Sequence, residues 1–181
     1  MSFLLDTCVV SESAKERRDP GVETWLDATA SELLFFSAIT FGELKFGVDR
    51  LPKGSKRDRL ESWLKEFVLD TPSSRIIPID RDVAMLWADL RVRDPNCRLA
   101  DSQIAATALA HGLTLVTRNV RDFRFAGLPV FNPWSKSPTV GKVSRPMAAA
   151  KSKFDPDQAA ERFVAPEKRE DDDLESTLRP K

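Results

Sequence analysis

The sequence predicts an α/β sandwich with a mainly parallel central sheet, and two patterns carry this prediction. Short, continuous apolar runs recur along the chain, as is typical of strands covered on both faces of a parallel sheet. Stretches with apolar residues at helical spacing lie between these runs. The alternation of strand-like and helix-like segments favours an α/β fold over a sheet and a bundle that are separate in sequence.

The apolar runs predict four buried strands and a shorter fifth one. They lie at residues 3–5, 33–36, 76–79, 113–116 and 130–131. Proline cannot donate to a sheet ladder, so Pro78 predicts that the third strand is an edge or distorted strand.

Helical spacing predicts five helices, all of them between the first and the fourth strand. The predicted helices lie at residues 22–30, 40–51, 57–70, 82–93 and 99–110. In the third of these, Leu60, Leu64 and Phe67 form one apolar stripe, which predicts an amphipathic surface helix. The last helix is rich in alanine and apolar on most sides, so we expect it to pack deeply, ending at His111 and Gly112.

Composition excludes several classes of protein. Lys+Arg and Asp+Glu both total 28 in 181 residues, so no global field would draw the protein onto nucleic acid. The only histidine, His111, argues against a histidine-rich zinc site. The two cysteines, Cys8 and Cys97, are too few for a disulfide framework, and Cys8 is interpreted as a small buried hydrophobe.

No signal peptide or membrane span is predicted, because no apolar stretch approaches the ~20 residues that span a bilayer. We therefore expect a soluble, cytoplasmic protein without a membrane partner. Residues 136–181 are rich in proline and poor in large apolar side chains, with an acidic run at residues 171–173. This composition predicts a mostly disordered extension after a domain of residues 1–135, with one short helix near residues 156–164.

Four carboxylates are predicted at one edge of the sheet. Asp6 follows the first strand, Glu43 lies in the helix after the second, Asp101 opens the alanine-rich helix, and Asp122 comes shortly after the fourth strand. Ligands of open parallel sheets bind at the carboxyl ends of the strands. Clustered carboxylates repel one another without a cation, and all-oxygen ligands favour Mg²⁺ or Mn²⁺. Such a site can activate water for phosphodiester hydrolysis.

Each carboxylate also has a purely structural interpretation. Asp6 and Asp101 could each cap a helix, and Asp122 could belong to a turn. Thr40 and Glu43 have the spacing of a capping box, in which the glutamate only satisfies a backbone N–H. Taken singly, these alternatives stay open, and the shared edge is what favours a site.

Polar and basic residues surround the last carboxylate. Thr117 and Asn119 could orient a water molecule or the Asp122 side chain by hydrogen bonding. Three arginines follow the fourth strand at positions suited to holding a phosphate backbone, namely Arg118, Arg121 and Arg124.

Four sequence blocks resemble the signature blocks of PIN-domain ribonucleases, especially the VapC and FitB-type toxins of bacterial toxin–antitoxin pairs. The blocks are residues 4–12, 37–47, 99–106 and 115–123. Each block alone is weak, but four in the right order and spacing are specific, and the resemblance covers about residues 2–134.

The resemblance implies a PIN-like three-layer α/β/α sandwich and a Mg²⁺- or Mn²⁺-dependent endoribonuclease. It implies an RNA substrate, a small antitoxin as partner and a homodimer. The family's acidic site corresponds to Asp6, Glu43, Asp101 and Asp122. Cys8 departs from the family, because many relatives carry asparagine there, and the extension after Lys136 is one that most relatives lack.

Other classes of protein compete with this interpretation. A receiver-type signalling domain also gathers carboxylates and Mg²⁺ at strand ends, but it needs a paired acidic cluster after strand one and a late lysine. A haloacid-type phosphatase needs Asp-x-Asp, where this chain has Asp6-Thr7-Cys8. A catalytically silent interaction module would keep the fold, and the loss of a carboxylate would support it, yet all four are present.

Overall fold

A five-stranded, all-parallel sheet forms the centre of the protein, as the apolar runs predict. A computed structural model describes residues 1–135, so the predicted extension and its short helix lie outside the described residues. The strands are β1 (Phe3–Leu5), β2 (Leu34–Ser37), β3 (Ile76–Ile77), β4 (Thr114–Val116) and β5 (Val130–Phe131). Their order across the sheet is β3-β2-β1-β4-β5. The strand β3 is therefore an edge strand, as Pro78 predicts, and it ends at the residue before this proline.

Among the described residues, six α-helices connect and cover the strands. They are α1 (Thr7–Val10), α2 (Pro20–Asp27), α3 (Ala38–Asp49), α4 (Ser55–Asp70), α5 (Arg81–Arg93) and α6 (Leu99–Ala110). Side-chain caps set several starts: Ser37 accepts from the Ile39 N–H, so α3 begins two residues before the predicted Thr40. Within residues 1–135, no helix is long and apolar enough to cross a bilayer.

Alternate residues of the strands feed two hydrophobic cores, one on each face of the sheet. Leu4 and Leu115 pack with α5 and α6 in one core, whereas Leu5 and Val116 pack with α1 to α4 in the other. All four side chains are at most 3% exposed. These two cores confirm the predicted three-layer α/β/α sandwich with a parallel sheet.

The alanine-rich helix α6 lies deepest among the helices. Residues 104–108 are fully buried, because small side chains allow this helix to approach the sheet closely. Only its first turn, with Asp101, reaches the carboxyl edge of the strands in a half-buried position.

The strand order changes direction between β1 and β4, which are adjacent in the sheet but lie far apart in sequence. The backbone N–H of Asp6 continues their ladder by donating to the Val116 carbonyl at 3.0 Å. In open α/β sheets, such a switch point opens a crevice at the carboxyl ends of the strands. The residues directly after β1 and β4 therefore face each other at this crevice.

Candidate active site

Asp6 is the most firmly held carboxylate at the switch point. Its side chain is 4% exposed. One carboxylate oxygen, Oδ1, accepts from the Thr7 N–H at 2.7 Å, and the other, Oδ2, accepts from the Thr117 hydroxyl at 2.5 Å. Asp6 thus caps α1, as the structural alternative predicts, and at the same time points its carboxylate into the switch-point crevice.

Glu43 is joined to Asp6 through Thr7, the first residue of α1. The Thr7 hydroxyl donates to Glu43 Oε2, which ties the middle of α3 to the start of α1. The alternative in which Thr40 and Glu43 form a capping box is wrong, because α3 is capped by Ser37 and both residues lie inside the helix. Sequence reasoning did not single out Thr7, although its place directly after Asp6 is a usable signal.

Asp101 shows that the four carboxylates act on one another. It occupies the third position of α6, and the N-cap residue, Arg98, makes no side-chain capping bond, so the cap interpretation of Asp101 is wrong. Burial raises the pKa of Asp101 to about 6, and the negative charges of Asp6, Glu43 and Asp122 add to this effect, while Arg98 opposes it. Charges act on one another only over short distances in a protein, so Asp6, Glu43 and Asp122 lie in the neighbourhood of Asp101.

Asp122 lies at the exposed side of the crevice. Its backbone N–H donates to the Asn119 carbonyl at 2.9 Å, so it does belong to a turn, as the structural alternative predicts. The next residue, Phe123, is 2% exposed and anchors this turn in the core. The turn role and the contribution of negative charge to Asp101 are compatible, because one uses the backbone and the other the side chain.

Thr117 and Asn119, the polar residues after β4, form hydrogen bonds that lead to Asp6 rather than to Asp122. The prediction that Thr117 orients Asp122 is wrong, since its hydroxyl donates to Asp6. Asn119 acts through its backbone, whose N–H donates to Thr117 Oγ1 at 3.0 Å. This arrangement leaves the Thr117 hydroxyl hydrogen directed at the Asp6 carboxylate.

Cys8 is half-buried and makes hydrogen bonds. Its interpretation as a small buried hydrophobe is therefore wrong about its polar contacts. Its thiol donates to Asp6 Oδ2 at 3.1 Å, and its sulfur lies 3.5 Å from Thr117 Oγ1. Burial and the charge of Asp6 raise the thiol pKa to about 11, which keeps it protonated at neutral pH. The signal in the sequence was its position two residues after Asp6, at the start of a helix.

The predicted phosphate-binding arginines lie around the same turn. Arg118 is exposed, and its guanidinium stacks over the Trp134 ring at 5.6 Å from the centroid. Arg121 and Arg124 are also exposed, on either side of Asp122 in sequence. All three arginines are exposed and lie within four positions of Asp122 in sequence.

The donor set has the chemistry of a hard divalent cation site. Its oxygen atoms belong to carboxylates and hydroxyls, and the raised pKa of Asp101 reports the excess negative charge that a cation would neutralise. Within residues 1–135, no three histidine, cysteine, aspartate or glutamate side chains are grouped as a ready metal site. The donor types fit Mg²⁺ or Mn²⁺. The carboxylates are not close enough to one another in this structure to form a metal site by themselves.

An α/β/α fold with four carboxylates near the carboxyl ends of its parallel strands defines a class of protein, and the sequence model of the PIN domain matches residues 3–128. The chain belongs to the PIN domain family. It is 40% identical to the VapC ribonuclease Y4jK of Sinorhizobium fredii over 73% of this chain and 97% of the relative. It is 39% identical to the toxin FitB of Neisseria gonorrhoeae, over 73% of this chain and 98% of FitB.

Solved structures show the same relationship. The crystal structure of FitAcB from Neisseria gonorrhoeae aligns with a TM-score of 0.66 at 39% identity, over 73% of this chain and 98% of that one. A toxin–antitoxin complex from Klebsiella pneumoniae aligns with a TM-score of 0.56 at 30% identity, over 74% and 99%. These findings confirm the family resemblance and leave no support for the receiver-type or phosphatase alternatives.

Proposed function

We propose that the protein is an endoribonuclease that hydrolyses RNA phosphodiester bonds with Mg²⁺ or Mn²⁺. The observation that carries this proposal is that the negative charges of Asp6, Glu43 and Asp122 all act on Asp101, near the switch point between β1 and β4. The ribonuclease and toxin names of relatives at about 40% identity support the same activity. The four carboxylates would hold the ion, and the ion would supply an activated water and neutralise charge on the phosphate.

Side chains of the protein would orient the metal ligands and bind the RNA phosphates. Asp6 and Glu43 are held by Thr117 and Thr7, so their oxygens stay oriented before substrate arrives. The exposed arginines near Asp122 would bind the phosphates on either side of the scissile bond.

Histidine catalysis does not fit this site. His111 follows the last residue of α6, whereas Asp101 lies in the first turn, which separates the two by roughly 15 Å along the helix axis. A metal-assisted hydrolysis without a protein nucleophile is therefore the mechanism that suits these residues.

We further propose that the protein is the toxin of a type II toxin–antitoxin pair, with a small antitoxin as partner and a homodimer as its assembly. Relatives are named as toxins, and solved structures of similar chains are toxin–antitoxin complexes. RNA and antitoxin would both be met in the cytoplasm. The nuclease domain would comprise residues 1–135, and residues 136–181 would be an extension to it, since the PIN model matches residues 3–128 and the relatives match over about 136 residues. A catalytically silent module is the second candidate, and no observation favours it.

The substitution Asp6→Asn tests the nuclease function. Asparagine keeps the shape and its single oxygen can still cap α1, but it removes the charge and places an NH₂ group where Oδ2 accepts from Thr117 and Cys8. We expect RNA cleavage to fall by at least 10²-fold in a protein that remains folded. Purified protein is incubated with total RNA and Mn²⁺ or Mg²⁺, with EDTA as the metal control. Asp27→Asn, at the exposed end of α2, is the matched control variant. Full activity of Asp6→Asn, or no metal-dependent cleavage by the wild type, would contradict the proposal.

A further inference from the structure

Two consecutive backbone N–H groups after β4 are each linked to the same oxygen of Asp6 through one side chain. In the first path, the Asn119 N–H donates to Thr117 Oγ1 at 3.0 Å, and the Thr117 hydroxyl donates to Asp6 Oδ2 at 2.5 Å. In the second, the Arg118 N–H donates to Cys8 Sγ at 3.4 Å, and the Cys8 thiol donates to Asp6 Oδ2 at 3.1 Å. Two hydrogen-bonded paths, one through Thr117 and one through Cys8, thus connect Asp6 to the turn that carries Arg118, and each path is called a relay below.

We propose that Cys8 is a positioning residue, whose thiol holds Asp6 Oδ2 and couples the Arg118 turn to the metal-binding carboxylate. This inference rests on the proposed function, in which Asp6 is a metal ligand. It assigns Cys8 no contact with substrate and no covalent chemistry.

The geometry explains why a second donor matters. Asp6 follows β1 and the arginine turn follows β4, so Cys8 and Arg118 lie 110 positions apart in sequence. The bond between them joins the two segments just beyond the last backbone bond of the ladder, from the Asp6 N–H to the Val116 carbonyl. With three donors on its two oxygens, the Asp6 carboxylate has no free rotation about its terminal torsion. Without the thiol, Oδ2 keeps only the Thr117 donor, and the carboxylate gains freedom that metal binding must remove.

A packing role for Cys8 makes the opposite prediction for two variants. Cys8 also contacts the core on the α1 face, so a packing role predicts that alanine is tolerated better than the polar serine. The relay predicts the reverse, because serine keeps a donor and an acceptor on the same atom, whereas alanine keeps neither. The order of Cys8→Ser and Cys8→Ala in metal affinity therefore separates the two roles.

The experiment measures Mn²⁺ affinity directly by calorimetry and, in parallel, the Mn²⁺ concentration that gives half-maximal RNA cleavage. We expect Cys8→Ala to lower the Mn²⁺ affinity about tenfold and to raise the Mn²⁺ concentration for half-maximal cleavage by the same factor. This is the low end of the effects of residues that support metal ligands, because a thiol is a weak donor. Cys8→Ser should restore most of the loss. At saturating Mn²⁺ the cleavage rate of Cys8→Ala should return to within about threefold of wild type, since the ion then enforces the carboxylate position.

Cys97→Ala is the matched control, because Arg91 bonds mainly to the Cys97 backbone carbonyl, at 2.6 Å, and alanine keeps that carbonyl. It should bind Mn²⁺ like the wild type. Wild-type Mn²⁺ affinity in Cys8→Ala, or a Cys8→Ser variant weaker than Cys8→Ala, would overturn the positioning role.

Amide hydrogen exchange without metal separates this inference from the proposed function. In Cys8→Ala the Arg118 amide should exchange faster, while the Asn119 amide, which bonds to Thr117, should not change. If the wild type binds no Mn²⁺ and cleaves no RNA, the proposed function fails, and the role of Cys8 at a metal ligand fails with it. If the wild type is active and neither Mn²⁺ affinity nor Arg118 exchange responds to Cys8→Ala, only the positioning role fails.

Discussion

Removing the charge of Asp101 should make the metal-free protein more stable while it abolishes activity. Asp101 is half-buried in the first turn of α6, where the charges of Asp6, Glu43 and Asp122 oppose its ionisation. Asparagine has nearly the same shape and cannot ionise, so Asp101→Asn relieves this repulsion. A site that holds mutually repelling carboxylates for function is expected to cost stability in this way.

The sign and size of the effect follow from the pKa of Asp101, which rises from its ordinary value of 3.8 to about 6 in the folded protein. Between pH 4 and pH 6 the folded state therefore keeps a proton that the unfolded state has released, and stability falls as the pH rises through this window. The full pKa difference corresponds to an upper bound of about 3 kcal/mol. Solvent screening at a half-exposed position reduces this to roughly 1 kcal/mol above pH 6.

Urea denaturation in EDTA at pH 4 and pH 7 measures this prediction. Asp101→Asn should equal the wild type near pH 4 and exceed it by roughly 1 kcal/mol at pH 7. Asp89→Asn, at an exposed position of α5, controls for the loss of one negative charge anywhere on the surface. Added Mn²⁺ should stabilise the wild type more than Asp101→Asn. A pH-independent difference between the two proteins, or one shared by Asp89→Asn, would refute the reasoning.

Two further predictions concern other groups near the site. The Thr40 hydroxyl is buried without a hydrogen-bond partner among the described residues, so Thr40→Val should leave the free energy of unfolding unchanged or raise it by up to about 1 kcal/mol in urea denaturation. A clear loss of stability would show that this hydroxyl is satisfied by bound water. The double substitution Arg121→Ala with Arg124→Ala should raise KM for RNA with little change in kcat, and should lower the salt dependence of binding by about 0.7 per lost phosphate contact in a log–log plot. An unchanged salt dependence would remove these arginines from the RNA interface.

Much of the fold could be predicted because its signals are local. Apolar runs placed all five strands within about two residues, and the alanine-rich helix at 99–110 has the predicted bounds. The helices α2, α3 and α4 each begin two residues before their predicted starts, and α2 ends three residues before its predicted end. The starts of α2 and α3 depend on the side-chain caps Asp19 and Ser37, which precede the apolar pattern. Both caps lie outside the helical periodicity, so this pattern alone did not locate the starts.

The sequence by itself determined that the sheet is parallel and that Asp6, Glu43, Asp101 and Asp122 lie near its carboxyl edge, because both follow from strand and helix positions along the chain. Only the tertiary structure decided what each carboxylate does there: which one caps a helix, which one is held by a hydroxyl, and which one resists ionisation. It also changed Cys8 from a small hydrophobe into a hydrogen-bond donor. The physical reason is that the Asp6 bond to Thr117 joins residues 111 positions apart, and a contact made across two adjacent strands leaves no periodicity in the sequence.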